Sequence, residues 1–456
     1  MRFARRNFLK LSSSLAAFGM AGAADPQQAS PRPARDFSLS VRDFGAKGDG
    51  ATKDTAAIQQ AIDRCAVFGG GNVTVPAGNY LSGAIALRSN TFLRLEKDAA
   101  LQGTPDFEDY PVTQVRWEGK WIPGRAGLIY AIGARHIGIT GPGKIVGNPA
   151  LGGRPTATSP LRHPALIEPI DCDDILLADF STSHRLMWSI HPTNCQNIAI
   201  RNLTIRSTGG NGDGIDIDSC QHVRIEGCDI ATGDDCISIK SGRGMEGYTL
   251  LQTSEDILIA DCIMADSIFA GIGIGSETSG GIRNVRIERC KFTGANTFAV
   301  YIKSRPGRGA FIEDIVARDL DVSGTVKGFL SLNLLGSGIQ DPEPVPGDEG
   351  IPTVRNFQFT DVRVKDCPVL VDGTRIHPNK PLDGFALKNV TGTCVQGISL
   401  ANVKNADLRD IRVTGFSGPL MGIHNVSGSG IEGAAAIDGP KIPAPVPAPA
   451  EPYRLR

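Results

Sequence analysis

Two short segments carry the residues most able to do chemistry: Asn211-Gly212-Asp213 and Gly233-Asp234-Asp235. They align residue for residue, with Asp213-Gly214-Ile215-Asp216-Ile217-Asp218 over Asp235-Cys236-Ile237-Ser238-Ile239-Lys240. In each, two Ile residues alternate with polar ones, the period of a strand with one buried face. Stacked as parallel strands, neighbouring copies stand about 4.8 Å apart. Three carboxylates then share one patch. Like charges held that close push one pKa upward, so one group can serve as an acid while its neighbours stay ionised. Glycoside hydrolysis by paired carboxylates has that requirement. A lone Asp near pKa ~4 is a poor acid at neutral pH, so whichever of the three serves as acid depends on crowding by the other two.

The elements that position these acids repeat along the chain. Asn197-Ile198-Ala199-Ile200-Arg201-Asn202-Leu203 is followed by copies starting at His222, Asp256 and Asn284, with weaker ones at Asp174, Asp314, Asn356, Gly384 and Asn405. Each reads polar-apolar-x-apolar-x-x-apolar, mostly about 21 to 34 residues apart, with a longer gap between Asp314 and Asn356. Such a period means a stacked solenoid. Short Val/Ile strands broken by Gly, Asn and Asp, with almost no helical pattern after residue 70, make it an all-β parallel β-helix rather than a propeller, whose blades need about 40 residues each. Asp54 to Ile62 has an N-cap residue and helical spacing, and predicts a short helix capping the first coil. Asn72 to Val75 reads as the first strand.

Aligning later coils on their apolar pairs places Phe269 in the slot of Asp234, Tyr301 in that of Ser238 and Lys303 in that of Lys240. The predicted site strip is therefore Asp213, Asp234 and Asp235 as catalytic groups, with Asn211, Lys240, Phe269, Tyr301, Lys303 and Arg305 as substrate contacts and Arg308 nearby. Strand parity poses a difficulty. Asp213 and Asp235 share the parity of the inward Ile residues and reach the surface only if the chain bends just after them. Gly214 permits a bend; Cys236 gives no such licence. Asp216 and Asp218 alternate outward and read as solvated residues. The rival reading of the acids is turn-shaping Asp, and a calcium site is a further one, without a recognised loop to support it.

Residues 1–24 read as a twin-arginine signal peptide: Arg5-Arg6-Asn7-Phe8-Leu9-Lys10, an apolar stretch from Leu11 to Met20, then Ala21-Gly22-Ala23. That stretch is far short of the ~20 residues a membrane span needs. The expected organisation is a linker over 25–40, the β-helix over 41–432 and a Pro/Ala-rich tail over 433–456, disordered from Gly439 onward. The expected location is periplasmic or secreted. Lys and Arg total 47 against 48 Asp and Glu, so charge alone points to no nucleic-acid or membrane partner. The ten Cys show no metal-ligand spacing, and Cys228, Cys262 and Cys290 share one slot, read as a core stack. No cofactor motif appears, no metal site is assigned, and a monomer is expected.

The chain resembles glycoside hydrolase family 28, the polygalacturonase family of right-handed parallel β-helices, from about Val41 to Val413. Asn211-Gly212-Asp213-Gly214 is similar to its Asn-Thr-Asp-Gly motif, with Gly212 for Thr. Thr232-Gly233-Asp234-Asp235-Cys236 is similar to its Gly-Asp-Asp motif. Gly275 to Gly281 is similar to the segment after its Gly-His-Gly. The resemblance implies an inverting hydrolase of pectic polysaccharide, with Asp234 as general acid and Asp213 and Asp235 activating water. Inversion asks for carboxyls about 6.5–9.5 Å apart, so side-chain splay must add to the rung spacing. Two positions depart: the family's His falls on Phe269 and its Arg on Tyr301, while its Lys is kept as Lys303. A phenol cannot reproduce a bidentate Arg–carboxylate pair. The resemblance therefore leaves three readings: an ordinary polygalacturonase, a hydrolase of rhamnogalacturonan or another substituted pectin, and an inactive polysaccharide-binding β-helix. A calcium-dependent lyase on the same fold is a further possibility. The stretches Arg243–Gln252 and Leu334–Thr353 are expected to wall the groove.

Overall fold

The computed structural model describes residues 37–156, 160–185, 187–448, 451 and 453–455. The twin-arginine segment lies outside the described residues, as does the linker up to residue 36. The chain forms a right-handed parallel β-helix. Its parallel pairing runs from Ser38–Ser40, against Asn72–Thr74, to Ala435–Ala436, against Gly422–Ile423. Strand pairing thus extends a few residues beyond 41–432 at both ends.

The polar residue that opens each repeat has a left-handed backbone. φ is 54° at Asn197, 57° at His222, 53° at Asp256, 54° at Asn284 and 55° at Asp314. L-residues avoid this region, and Asn, Asp and Gly tolerate it best. Five residues on, Asn202, Gly227, Asp261 and Arg289 are left-handed too. Each strand of this stack is thus bounded by two sharp corners, and the Ile and Val between them point inward. Side chains ladder along the corners, with Asn197 Nδ2 donating to Asp173 Oδ1 at 2.7 Å and Asn202 Nδ2 to Asp179 Oδ1 at 3.0 Å.

Helix α1 (Thr55–Val67) buries Ile58, Ala61, Ile62 and Cys65 over the first coil. Asp54 is its N-cap residue by position but makes no side-chain cap bond. Its carboxylate instead accepts from Lys47 N at 2.6 Å and Gly48 N at 2.9 Å, tying down the preceding loop. Strands at Ser38–Ser40 and Asp49–Lys53 precede the expected first strand, which runs over Gly71–Val75. All ten cysteines are free and buried. Cys228, Cys262 and Cys290 belong to the core, as do Cys172, Cys195 and Cys220.

The site lies on a stack of five parallel strands: β1 (Ile215–Asp218), β2 (Ile237–Lys240), β3 (Ile272–Ile274), β4 (Phe298–Lys303) and β5 (Gly328–Asn333). Ile215, Ile237, Ile272, Val300 and Leu330 are in register, as the apolar alignment requires. Three additions surround this stack. One is an antiparallel hairpin, Val112–Trp117 with Lys120–Arg125. Its two-residue turn, Glu118-Gly119, has positive φ at both positions, the turn that suits strand twist. The second is helix α2 (Gly244–Leu250), which the sequence pattern did not disclose. The third is the loop between Leu334 and Thr353, expected at the surface but anchored inward. Val345 is buried, and the Asp341 carboxylate pairs with Arg243 Nε at 3.1 Å. The tail is ordered through residue 448: Val446 is buried and its carbonyl accepts from Gly347 N at 2.9 Å.

Candidate active site

Oxygens of Asp213, Asp234 and Asp235 lie within 4.8 Å of one another. The strands explain how. β1 and β2 start at Ile215 and Ile237, so Asp213 and Asp235 sit in the turns before them, and the required bend exists in both coils. Gly214 is pressed against the next coil, where a Cβ would come 2.5 Å from Cys236 O. The expected splay to about 6.5–9.5 Å is absent between the nearest oxygens.

The three acids stand in different surroundings. Asp235 is buried and fully engaged. Its Oδ1 accepts from Ala270 N at 3.0 Å, and its Oδ2 accepts from Ser238 Oγ at 2.8 Å and Lys303 Nζ at 2.7 Å. Gly273 makes this possible, since a Cβ there would come 2.4 Å from Asp235 Oδ2 and 3.2 Å from Lys303 Cε. Asp213 is buried too; its Oδ2 lies 3.3 Å from the same Ser238 Oγ, whose single proton goes to the shorter bond with Asp235, while its Oδ1 has no hydrogen-bond partner among the described residues. Asp234 is half-buried, the most open of the three. Its Oδ1 accepts from Asp235 N at 3.0 Å and its Oδ2 from Asn211 N at 3.3 Å. Burial, then the charge of Asp235, raises Asp234 above the usual carboxylate range. Burial, then the charge of Asp216, raises Asp213 well above it.

Several predicted contacts take other roles. Lys240 and Lys303 were placed on a surface strip; both are buried. Lys240 Nζ is bonded to Asp216 and lies 3.7 Å from Asp213 Oδ2. Burial opposes the charge on each lysine, but the acids outweigh it and both pKa values are raised. They are counter-ions of the acid cluster. Asp216 and Asp218 do alternate outward from the Ile core, yet they are buried rather than solvated. Lys240 covers Asp216, and Arg116 from the hairpin covers Asp218, Nε to Oδ2 at 3.2 Å. Arg308 is fully buried and donates to Ser276 O and Ile339 O, pinning the Leu334–Thr353 loop. Half-buried Arg305 donates to Gly338 O of the same loop at 2.7 Å. Phe269 and Tyr301 stack beside the acids, ring centroids 5.8 Å apart at 26°.

Sequence reasoning missed the hairpin that packs beside the acids. Trp117 of the hairpin stacks on buried Trp188 at 5.1 Å, and Lys240 Nζ sits 4.4 Å over Trp188. Glu118 at the hairpin turn pairs with Arg243 at 3.4 Å and Arg154 at 3.6 Å. Arg154 Nε donates to Asn211 Oδ1 at 2.6 Å, which links the rim to Asp234. A signal was available: two six-residue stretches flank Glu118-Gly119. Nothing local tied that hairpin to acids about a hundred residues away.

The sequence model of Glycosyl hydrolases family 28 matches residues 65–330, more than half of the chain. The chain belongs to that family. As a member of glycosyl hydrolase family 28, it is a glycoside hydrolase acting on O-glycosyl bonds. It is 31% identical to a probable polygalacturonase of Vitis vinifera over 78% of this chain and 74% of the relative. It is 25% identical to an exo-poly-alpha-D-galacturonosidase of Dickeya chrysanthemi over 82% of this chain and 71% of the relative. Among solved structures, a hyperthermoactive exopolygalacturonase from Thermotoga maritima superposes with a TM-score of 0.72 at 26% identity, covering 85% of this chain and 93% of that one. The family 28 match spans every candidate catalytic residue. Among the described residues no helix is long and apolar enough to cross a membrane.

Proposed function

We propose that this chain hydrolyses pectic polysaccharide from a chain end, with Asp234 as general acid and a water activated by Asp213 and Asp235. The observation that carries this is the three-carboxylate cluster, its oxygens within 4.8 Å. Asp234 is the open member, the one a leaving oxygen can reach, and burial and mutual charge raise both it and Asp213, so the cluster retains a proton to deliver. Asp213 Oδ1, without a hydrogen-bond partner among the described residues, is the acceptor for a water proton when the proton held by the crowded acids sits on Asp234. Oxygens this close fall short of the wide carboxyl separation usual for inversion. Hydrogen bonding argues the other way. Asp235 is saturated by three donors, which makes it a poor nucleophile and a good fixed anion. We therefore assign inversion, with water rather than Asp235 attacking.

Action from a chain end is supported by the hairpin, which closes the groove beside Trp188 and Asn211. Exposed Arg154 stands at that end and suits the carboxylate of a terminal galacturonate. Two relatives named for exo action point the same way. The Arg5-Arg6 motif supports export through the twin-arginine route to the periplasm or beyond. Product analysis on oligogalacturonates tests this reading. Monomer or dimer release from the first time points is expected, with the new reducing end opposite in anomeric configuration to the bond cleaved. A retained anomer would overturn the water assignment, and a spread of internal products the closed end.

A further inference from the structure

Away from the hairpin, the groove beside the acids is floored by rings. Phe269 and Tyr301 are half-buried and nearly parallel, and Phe298 supports Tyr301 at 5.7 Å. Asn333 Nδ2 donates to the Tyr301 hydroxyl at 3.1 Å and fixes the ring from the next coil. Exposed apolar side chains continue this region: Ile268, 55% exposed, precedes Phe269, and Val326, 61% exposed, lies in a turn two coils on. The cations nearby are buried or turned toward the loop over residues 334–353. Lys303 Nζ lies 4.5 Å from the Phe269 centroid, but it is buried beneath the rings and bonded to Asp235 at 2.7 Å. Arg308 is fully buried, and Arg305 holds the Gly338 carbonyl.

We infer that Phe269 and Tyr301 form a leaving-group subsite for a sugar without a free carboxylate, either a methyl-esterified uronate or a neutral residue. This deepens the hydrolase reading and rests on it. A pyranose ring presents an apolar C–H face that packs on aromatic rings. A free carboxylate set against those rings loses hydration with only the Tyr301 O–H to replace it, the nearest ammonium, Lys303, being held by Asp235. Moving Lys303 to meet it would strip Asp235 of its counter-ion. The glycon lies at the hairpin end near Arg154, so the sugar over the rings is the one that departs.

The test uses two disaccharides sharing one galacturonosyl glycon. One ends in free galacturonate and the other in its methyl ester. Wild type is expected to show kcat/KM at least about tenfold higher on the ester, a discrimination of the size pocket contacts give. Tyr301→Arg, at a half-buried position, is expected to reverse the order. Phe269→Ala is expected to raise KM for the ester with kcat held, and it serves as the second variant should Tyr301→Arg not fold. A wild-type preference for the free acid, or a ratio unmoved by both variants, would overturn the subsite. If wild type cleaves neither, the hydrolase reading fails on its own. Calorimetric binding of the same two compounds then decides the subsite, and equal affinities would refute it.

Discussion

Arg162→Met should cost about 3–5 kcal/mol of stability at neutral pH, because it strands a buried carboxylate. Arg162 and Glu168 are both fully buried, and the pair is bidentate, with Nη1 to Oε1 and Nη2 to Oε2 each 2.6 Å. Glu168 also accepts from Gly127 N at 3.1 Å and faces His191 Nδ1 at 3.4 Å. Arg162 carries the hairpin as well, since its carbonyl accepts from Arg125 N at 2.8 Å and its Nη2 donates to Arg125 O at 3.1 Å. Burial raises the Glu168 pKa, but Arg162 and His191 outweigh it and the net shift is downward. A depressed folded-state pKa contributes stability above the unfolded value of about 4.3, and that contribution is lost as pH falls through the folded value. The gap between wild type and variant should therefore be widest at neutral pH and narrow on acidification, first as the stranded Glu168 takes up a proton in the variant and then as the Arg162-paired Glu168 does in wild type. The double variant Arg162→Met/Glu168→Leu should recover most of the loss, less about 1–3 kcal/mol for the orphaned Gly127 N–H. Urea unfolding followed by circular dichroism at neutral and at acidic pH measures all three proteins. A single-variant cost under about 1 kcal/mol, or a gap that ignores pH, would refute the reasoning.

Three further outcomes follow from the site. Asp234 is raised by burial and Asp235, so kcat should fall on the alkaline side through a pKa above the ordinary carboxylate value; a pH–rate profile flat from pH 4 to 8 would contradict this. Arg154→Ala should raise KM on oligogalacturonate about tenfold or more with little change in kcat, since Arg154 lies at the rim; steady-state kinetics would contradict this by showing an unchanged KM. Lys240 and Lys303 already neutralise the acid cluster, so activity should survive exhaustive chelation, and loss restored by added Ca²⁺ would refute that.

The coil register was legible because β-strand periodicity is local. Aligning Ile237 with Ile272 and Val300 placed Phe269 and Tyr301 correctly, and the paired strands have that register. The polar slots were legible for a backbone reason, since they are left-handed corners that favour Asn, Asp and Gly. The fate of Asp216 and Asp218 was not. Parity correctly turned them away from the core, but parity carries no information about what covers the outside of a coil. Their cover includes Arg116, 102 residues from Asp218. Lys240 and Lys303 were misplaced for a related reason: a cation one or two coils from a buried acid is drawn to it before it can meet a substrate. Composition alone also gave no sign of the contact in the tail, where Val446 is buried and its carbonyl accepts from Gly347 N.

The most direct test of the account is kcat on oligogalacturonate for wild type and Asp234→Asn, with circular dichroism on both. Asn keeps the shape and the acceptor for Asp235 N–H but cannot deliver a proton. The account predicts an unchanged fold and a loss of about 10²–10⁴ in kcat with KM nearly constant. A folded Asp234→Asn enzyme with kcat within about threefold of wild type would contradict it.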